Sequence, residues 1–134
     1  MGMLIAIALG GAIGSLARYG ITVWSEQVFG ADFPYGIFIA NVAGSFAIGI
    51  CFVLIYERAL LPEVWRPLLM VGFLGAFTTF STFSLQAVGL IQEGRLIAAS
   101  LYVFGSVILS ILDAWFGILS TRQTGATFAP IHHH

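Results

Sequence analysis

The chain has 134 residues, of which 59% are hydrophobic and only 8% charged, and its mean hydropathy is +0.99. A soluble domain of this size needs far more polar surface, so the composition predicts an all-α integral membrane protein with one compact domain. The net charge of −1, with five arginines and no lysine, offers nucleic acid no basic surface. The single cysteine, Cys51, excludes an internal disulfide and a cysteine-based metal cage.

Charged residues leave four apolar stretches, each long enough for the roughly 20 residues of helix that cross a hydrocarbon core. We expect transmembrane helices at about Met3 to Trp24, Pro34 to Tyr56, Arg66 to Ile91 and Leu96 to Leu119. The first run lacks a preceding positive residue and is longer than a signal-peptide core, so we expect it to be retained. The expected domain covers residues 1–124, and the tail 125–134 ends in three histidines that resemble a truncated purification tag.

Small residues recur at helical spacing in the first two predicted helices. Gly10 and Gly14 lie four residues apart in the first helix, and Gly36, Ala40 and Gly44 form a stripe in the second. Such stripes let helix backbones approach closely in lipid. The pattern is weak as a functional signal, and helix packing alone explains it.

The arginines carry little information about orientation. One side of the membrane would hold Arg58, Arg66 and Arg122, and the other would hold Arg95, together with Arg18 if its side chain extends outward. Three against two is almost no bias under the positive-inside rule. The sequence therefore predicts a dual-topology protein whose subunits pair antiparallel.

Several polar side chains fall within the predicted spans, where lipid cannot satisfy them. Asn41 brings a carboxamide into the second helix. In the fourth helix, Tyr102, Ser106, Ser110 and Asp113 follow spacings of 4, 4 and 3 and so share one stripe. The serines alone are typical of packing, whereas together with the tyrosine they could form a ladder of hydroxyl donors.

Two charged residues within the spans each allow more than one interpretation. Arg18 is first interpreted as an interfacial anchor or a tie between helices, and otherwise as a positive charge that attracts anions to a pore mouth. Asp113 is interpreted as an interfacial group or as an arginine partner in preference to a proton carrier. Neither residue identifies a function by itself.

The most unusual stretch is 72–84, which combines glycines, hydroxyls and phenylalanines within the third span. Gly72 and Gly75, followed by Thr78 and Thr79, are expected to weaken the helix midway and to leave backbone groups unpaired. Free carbonyls can bind a cation, and free amides at a restarting helix can bind an anion. The pattern indicates an ion site.

Beyond the expected break, aromatic and hydroxyl side chains alternate. Phe77, Phe80 and Phe83 are spaced three apart, which predicts a cluster on one side, and Ser81 and Thr82 add hydroxyl donors. The edge of a phenyl ring is electropositive, so two edges can flank a small anion. Core packing would explain each residue separately but explains the combination poorly.

The stretch 72–84 matches G-F-x-G-x-[FL]-T-T-F-S-T-F-S, a signature of the Fluc fluoride channels, also called CrcB-like fluoride exporters. Asn41, Gly44 and the region from Gly10 to Arg18 support the resemblance, which covers nearly all of the chain except the tail. It implies passive, fluoride-selective export across the bacterial cytoplasmic membrane and protection from fluoride toxicity. It also implies an antiparallel, dual-topology homodimer in the lipid bilayer, with two pores and a central structural sodium ion.

The resemblance also implies roles for individual residues. Phe80 and Phe83 are implied to contact fluoride through their ring edges. The residues implied to make the pore polar are Asn41, Ser81, Thr82, Tyr102, Ser106 and Ser110. Backbone carbonyls of Gly75 and Thr78 from both subunits would hold the sodium ion. Arg18 corresponds to the basic residue near the end of the family's first helix.

Three positions depart from the family pattern. Ile37 follows Gly36 where the family often has threonine, which removes one pore hydroxyl. Gln86 replaces a frequent glutamate, so an ionisable group at the end of the pore is lost. Ala76 replaces a frequent glycine, which is a mild change unless the helix break needs flexibility.

Two other classes of function compete with the channel. A small proton-coupled exporter would need a membrane carboxylate, for which Asp113 is the only candidate. A structural assembly protein would use the hydroxyls only to join helices. The sequence contains no nucleotide-binding loop, catalytic dyad or metal cluster, so we expect no enzyme.

Overall fold

The computed structural model describes residues 1–128, which form an all-helical bundle. Four helical spans are long and apolar enough to cross a membrane, which makes the chain a multi-pass membrane protein. The helices are α1 (Gly2–Phe29), α2 (Tyr35–Phe52, prolonged by the π-helical turn Val53–Glu57), α3 (the π-helical segment Arg66–Leu74 and the α-helical turn Gly75–Phe77), α4 (Ser81–Gln92) and α5 (Leu96–Phe128). The third span consists of α3 and α4 together.

The four expected spans are confirmed, but α1 and α5 continue beyond their predicted ends. The prediction ended these helices where the apolar run ends, whereas helical hydrogen bonding does not require an apolar side chain. The first helix stops only at Gly30, whose φ of 83° is readily adopted by glycine. The histidines at 132–134 lie outside the described residues.

The small-residue stripe of α1 packs directly against α3. A methyl group on Gly10 would collide with the Leu68 carbonyl, and one on Gly14 would collide with the Phe73 carbonyl. A methyl group on Gly72 would lie 2.9 Å from the Ile7 carbonyl oxygen. These backbones therefore touch, as the glycine spacing in α1 predicts.

Gly72 and Gly75 do not interrupt the span themselves, contrary to expectation. Both residues are helical, and Gly72 is buried against α1. Regular structure stops after Phe77, where Thr78 takes an extended backbone with φ −85° and ψ 156°, and it resumes at Ser81. Gly72 serves close packing, and the interruption falls at residues 78–80.

α2 is enclosed between α1 and α5. Gly36 lies against Thr22 and Ser25 of α1, and Gly49 lies against the backbone of Ala114 in α5. A methyl group on Gly117 would in turn collide with the Phe46 carbonyl. α2 and α5 thus interlock through a glycine on each helix.

Polar contacts tie the two ends of the bundle. At one end, Arg122 forms a bidentate ion pair with Glu57, and the Arg58 guanidinium donates to the Arg122 carbonyl oxygen. At the other end, the Arg95 guanidinium donates to the Asp32 carbonyl oxygen. We call these the Arg122 end and the Arg95 end, and each tie fixes one end of α5 to the α2 region.

Candidate functional site

The interruption at 78–80 is held by one side chain of α2. The Thr79 backbone N–H donates to Asn41 Oδ1 at 2.8 Å, and Asn41 Nδ2 donates to the Thr79 carbonyl oxygen at 3.0 Å. A helix interruption leaves such peptide groups without helical partners, and lipid cannot satisfy them. Asn41 therefore replaces the missing helical hydrogen bonds, a role that its carboxamide fits because it offers both a donor and an acceptor.

Hydroxyl groups satisfy the backbone on both sides of the interruption. Thr78 Oγ1 donates to the Leu74 carbonyl oxygen at 2.9 Å, and Thr79 Oγ1 accepts from the Thr82 backbone N–H at 3.3 Å. Thr79 Oγ1 also lies 3.4 Å from Ser81 Oγ. The hydroxyls of the threonine pair thus satisfy backbone groups at the end of α3 and at the start of α4, as the side chains of helix caps do.

A cavity of about 340 Å³ opens beside the interruption, between α2, the third span and α5. We call it the hydroxyl cavity, because serine and threonine side chains from all three elements line it. Of the predicted pore residues, it brings together Asn41, Phe80, Phe83, Ser106 and Ser110. Ser81, Thr82 and Tyr102 are not among its lining residues.

The aromatic wall of this cavity contains two of the three predicted rings. The ring centroids of Phe80 and Phe83 lie 5.7 Å apart with the planes inclined by 42°. Phe83 is 7% exposed, whereas Phe80 is 77% exposed. Phe77 instead stacks on Phe73 at 5.6 Å, because the interruption resets the helical phase between residues 77 and 80. The expected three-ring cluster is therefore wrong for Phe77.

Another part of the lining comes from serines of α5. Ser106 is 4% exposed, and its Oγ has no hydrogen-bond partner among residues 1–128. Ser110 lies one turn further along the same wall. A buried hydroxyl without a partner is costly, so Ser106 has a donor available for a ligand in the cavity.

Gly75 and Thr78 carry the carbonyls that are expected to bind sodium. Both residues line the hydroxyl cavity, and neither carbonyl accepts a hydrogen bond from another group within the described chain. Unpaired carbonyl oxygens are the groups that bind alkali cations in interrupted membrane helices. The sodium site expected at these two carbonyls stays a prediction.

Tyr102 lies behind the aromatic wall. Its side chain is 0% exposed, its ring centroid is 5.0 Å from that of Phe83, and its hydroxyl donates to Gln86 Oε1 at 2.8 Å. The predicted ladder of hydroxyls is therefore divided. Ser106 and Ser110 line the hydroxyl cavity, and Tyr102 adjoins a different space.

That space is a second cavity of about 340 Å³ at the Arg95 end. We call it the acidic cavity, because Glu26, Asp32 and Glu93 line it with Arg95 as the single basic residue. The Arg95 guanidinium lies 3.8 Å from the Glu93 carboxylate. Gln86 also lines it. Sequence reasoning missed this cavity, because residues distant in sequence build it from two helix connections and three helix ends.

Arg18 and Asp113 belong to neither cavity lining. Arg18 is half-buried in α1, where its carbonyl oxygen accepts a hydrogen bond from Thr22 Oγ1 at 2.9 Å. Asp113 is half-buried in α5. Within residues 1–128 neither side chain forms an ion pair, so the roles expected for them stay predictions.

The family model described as CrcB-like protein, Camphor Resistance (CrcB), matches residues 5–118. The chain belongs to the CrcB family. Two relatives are named fluoride-specific ion channel FluC and match over most of their length. The relative from Hahella chejuensis is 46% identical over 119 residues, which cover 89% of this chain and 94% of the relative. The relative from Saccharophagus degradans is 45% identical over 120 residues, 89% of each protein.

A third CrcB relative, from Methylococcus capsulatus, bears the same name and is 45% identical over 120 residues. The match covers 90% of this chain but 53% of that relative, so the chain spans about half of its length. All three relatives are named as ion channels, which confirms that the family is one of channels and not of enzymes.

Proposed function

We propose that the protein is a fluoride channel of the cytoplasmic membrane, which lets fluoride leave the cell down its electrochemical gradient and so limits fluoride toxicity. The observation that carries the proposal is the hydroxyl cavity, which a phenylalanine pair and the residue with the unpartnered hydroxyl, Ser106, line together beside an interrupted span. The names of the relatives support the same anion.

The chemistry of the cavity suits a small anion. Fluoride accepts hydrogen bonds and donates none, so a pore has to replace its water with donors and positive ring edges. Ser106 and Ser110 supply hydroxyls on one wall, and Phe80 and Phe83 supply rings on another. Backbone and hydroxyl groups at Thr79 are engaged with Asn41 and α4, so they shape the wall while the serines remain available.

The functional unit in this proposal is an antiparallel, dual-topology homodimer with two pores and with the interruption at mid-membrane depth. Phe80 and Gly75 line the hydroxyl cavity and yet are exposed, so one side of the cavity opens at the surface of the single chain. A second copy would close that side and exclude lipid. The nearly balanced arginines allow insertion in both orientations.

The same arrangement would create the structural sodium site. A chain contributes the unpaired carbonyls of Gly75 and Thr78, and a second copy related by two-fold symmetry would contribute the same pair. Four carbonyl oxygens around a dimer axis give a cation a dehydrated, neutral cage. Bound sodium would join the subunits at their interrupted helices.

Fluoride efflux from liposomes tests the function. Vesicles loaded with potassium fluoride and containing the purified protein should release fluoride once valinomycin lets potassium leave as well, so that no membrane potential opposes the efflux. A fluoride electrode follows the release. Protein-free vesicles and chloride-loaded vesicles serve as controls. Fluoride release no faster than from protein-free vesicles, with protein that is folded by size-exclusion chromatography, would refute the channel.

Asp113 distinguishes the channel from a proton-coupled exporter. Asp113→Asn removes the titratable group but keeps its size, so fluoride efflux should stay within about twofold of the wild-type rate, because surface and isosteric substitutions usually have small effects. A proton-coupled exporter would lose transport. The measurement is the same efflux assay, with a pH gradient imposed in one arm.

A further inference from the structure

The serines that line the hydroxyl cavity differ from other helical serines of this protein in their hydrogen bonds. A serine hydroxyl in a helix can donate to a backbone carbonyl three or four residues earlier. Four serines that do not line this cavity do so at 2.8–3.4 Å, namely Ser25, Ser84, Ser100 and Ser120. Within residues 1–128, the three serines that line the cavity form no hydrogen bond through their hydroxyls. They are Ser45, Ser106 and Ser110.

Ser45 belongs to α2 and is half-buried, whereas the other two serines belong to α5. Both helices begin at the Arg95 end and finish at the Arg122 end, so they run in the same direction. A methyl group on Gly49 would meet the backbone of Ala114 and Ile118. Four residues earlier on each helix, the same register places Ser45 beside the turn that begins at Ser110. The free hydroxyls of the two helices therefore lie at neighbouring levels of one cavity.

The other polar side chains around the interruption are already engaged. Asn41 uses its Oδ1 and an amide proton in the two hydrogen bonds with the Thr79 backbone. Thr78 Oγ1 donates to the Leu74 carbonyl oxygen, and Thr79 Oγ1 accepts from a backbone N–H of α4. Among the described residues that line the cavity, the hydroxyls without a partner would all come from α5 if Ser45 were absent.

We propose that Ser45 is a fluoride-binding residue, whose hydroxyl donates to an anion that the hydroxyls of Ser106 and Ser110 also contact. The proposal rests on the proposed channel function and adds a donor from α2 to its anion site. A dehydrated anion inside a protein needs hydrogen bonds to replace its water, and a buried hydroxyl without a partner is itself unfavourable. A bound fluoride satisfies both requirements at once.

Hydrogen bonds carry this interaction, because none of the residues of 1–128 that line the hydroxyl cavity is charged. Hydrogen bonds from neutral donors to an ionised acceptor are roughly twice as strong as those between neutral groups. Fluoride is an acceptor only, so each free hydroxyl can orient its single proton towards the ion. The loss of one such donor should therefore change fluoride binding measurably, although the cavity keeps its shape.

Ser45→Ala removes the hydroxyl and little else. We expect fluoride efflux from liposomes to fall about tenfold, the equivalent of one hydrogen bond to a charged group. Ser100→Ala is the matched control, because Ser100 is exposed in α5, donates to the Leu96 carbonyl oxygen and lines neither cavity. The control should conduct at the wild-type rate. Protein-free vesicles give the leak of hydrogen fluoride.

Thermal unfolding in detergent tests binding without conduction. A ligand that binds only the folded protein raises its melting temperature. We expect the wild-type protein to melt at a higher temperature in potassium fluoride than in potassium chloride, and Ser45→Ala to show a smaller difference. Ser100→Ala should keep the full difference, because a general effect of the salt is common to all three proteins. Each protein is also melted with sodium present and with sodium replaced by N-methylglucamine.

Three results would overturn the proposal. The first is fluoride efflux in Ser45→Ala within about twofold of the wild-type rate. The second is an equal effect of fluoride on the melting temperatures of Ser45→Ala and the wild-type protein. The third is that Ser45→Ala loses only a sodium-dependent stabilisation, since the hydroxyl oxygen would then be a cation ligand. Failure of the proposed function is distinct, because it would appear as absence of fluoride efflux in the wild-type protein.

Discussion

The two halves of the third span are packed in different ways. In α3, Gly72 lies against the backbone of α1, and a methyl group there would be 2.9 Å from the Ile7 carbonyl oxygen. In α4, Gly89 has no heavy atom within 4 Å of the position that its methyl group would take. The half before the interruption is thus anchored by backbone contact, and the half after it is held by side chains.

The two halves of the span therefore have different roles, one in positioning the span and the other in lining the cavities. α3 fixes the position of the span in the bundle through contacts that admit no side chain. α4 carries Phe83 and Gln86, which reach the two cavities and need not be held by backbone contact. Asn41 stabilises the junction of the two halves, because it forms two hydrogen bonds with the backbone of Thr79 between them.

The largest effect should follow from forcing α1 and α3 apart. Gly14→Leu would place a side chain into the Phe73 backbone, and small changes in a close-packed interface already cost stability. We expect loss of the folded protein, measured by size-exclusion chromatography in detergent. Gly20→Leu is the matched control in the same helix, because no heavy atom lies within 4 Å of that position. A normal elution profile for Gly14→Leu would contradict the anchoring role of α3.

A smaller effect should follow at the junction of the halves. Asn41→Leu leaves the Thr79 N–H and carbonyl groups unpaired, at about 1–3 kcal/mol for each buried group. We expect a protein that assembles but melts at lower temperature and conducts poorly, as measured by thermal unfolding in detergent and fluoride efflux. Ser45→Ala, one turn along α2 in the same cavity wall, should keep the wild-type melting temperature. Equal melting temperatures for the two variants would show that the Asn41 contacts do not stabilise the junction.

Substitutions of the two cavity phenylalanines, in the half of the span that contains α4, should have the smallest effect on folding. Their effect on transport should be specific. Phe80→Ile and Phe83→Ile keep apolar bulk but remove the ring edges, so we expect normal assembly with roughly tenfold slower fluoride efflux. Phe104→Ile is the control, because Phe104 is an exposed phenylalanine of α5 that lines neither cavity. Unchanged efflux in both cavity variants would assign these rings to packing alone.

Much of the fold follows from patterns that can be read in the chain. Long apolar runs define the four spans, and the spacing of Gly10 and Gly14 predicts the contact with α3, because backbone approach requires only the absence of side chains. The convergence of Asn41 with Phe80 and Phe83 also agrees with the predicted pore. Whether these residues conduct fluoride stays a prediction.

Other features could not be predicted, because they depend on where helices change phase and how separate segments meet. Phe77 leaves the ring cluster because residues 78–80 reset the periodicity, a shift that residue spacing alone does not reveal. The hydrogen bond from Tyr102 to Gln86 joins α5 to α4, although the two residues are 16 positions apart in the sequence. The acidic cavity combines residues near the ends of several helices.

The interlock between α2 and α5 also constrains how the protein is made. Gly49 and Gly117 bring these helices together, and α5 leaves the ribosome after the other three spans. Asn41 can meet Thr79 once the first three spans have been inserted, but the wall that carries Ser106 and Ser110 does not yet exist. The cavity beside the interruption therefore stays incomplete during synthesis until α5 has been inserted and has docked.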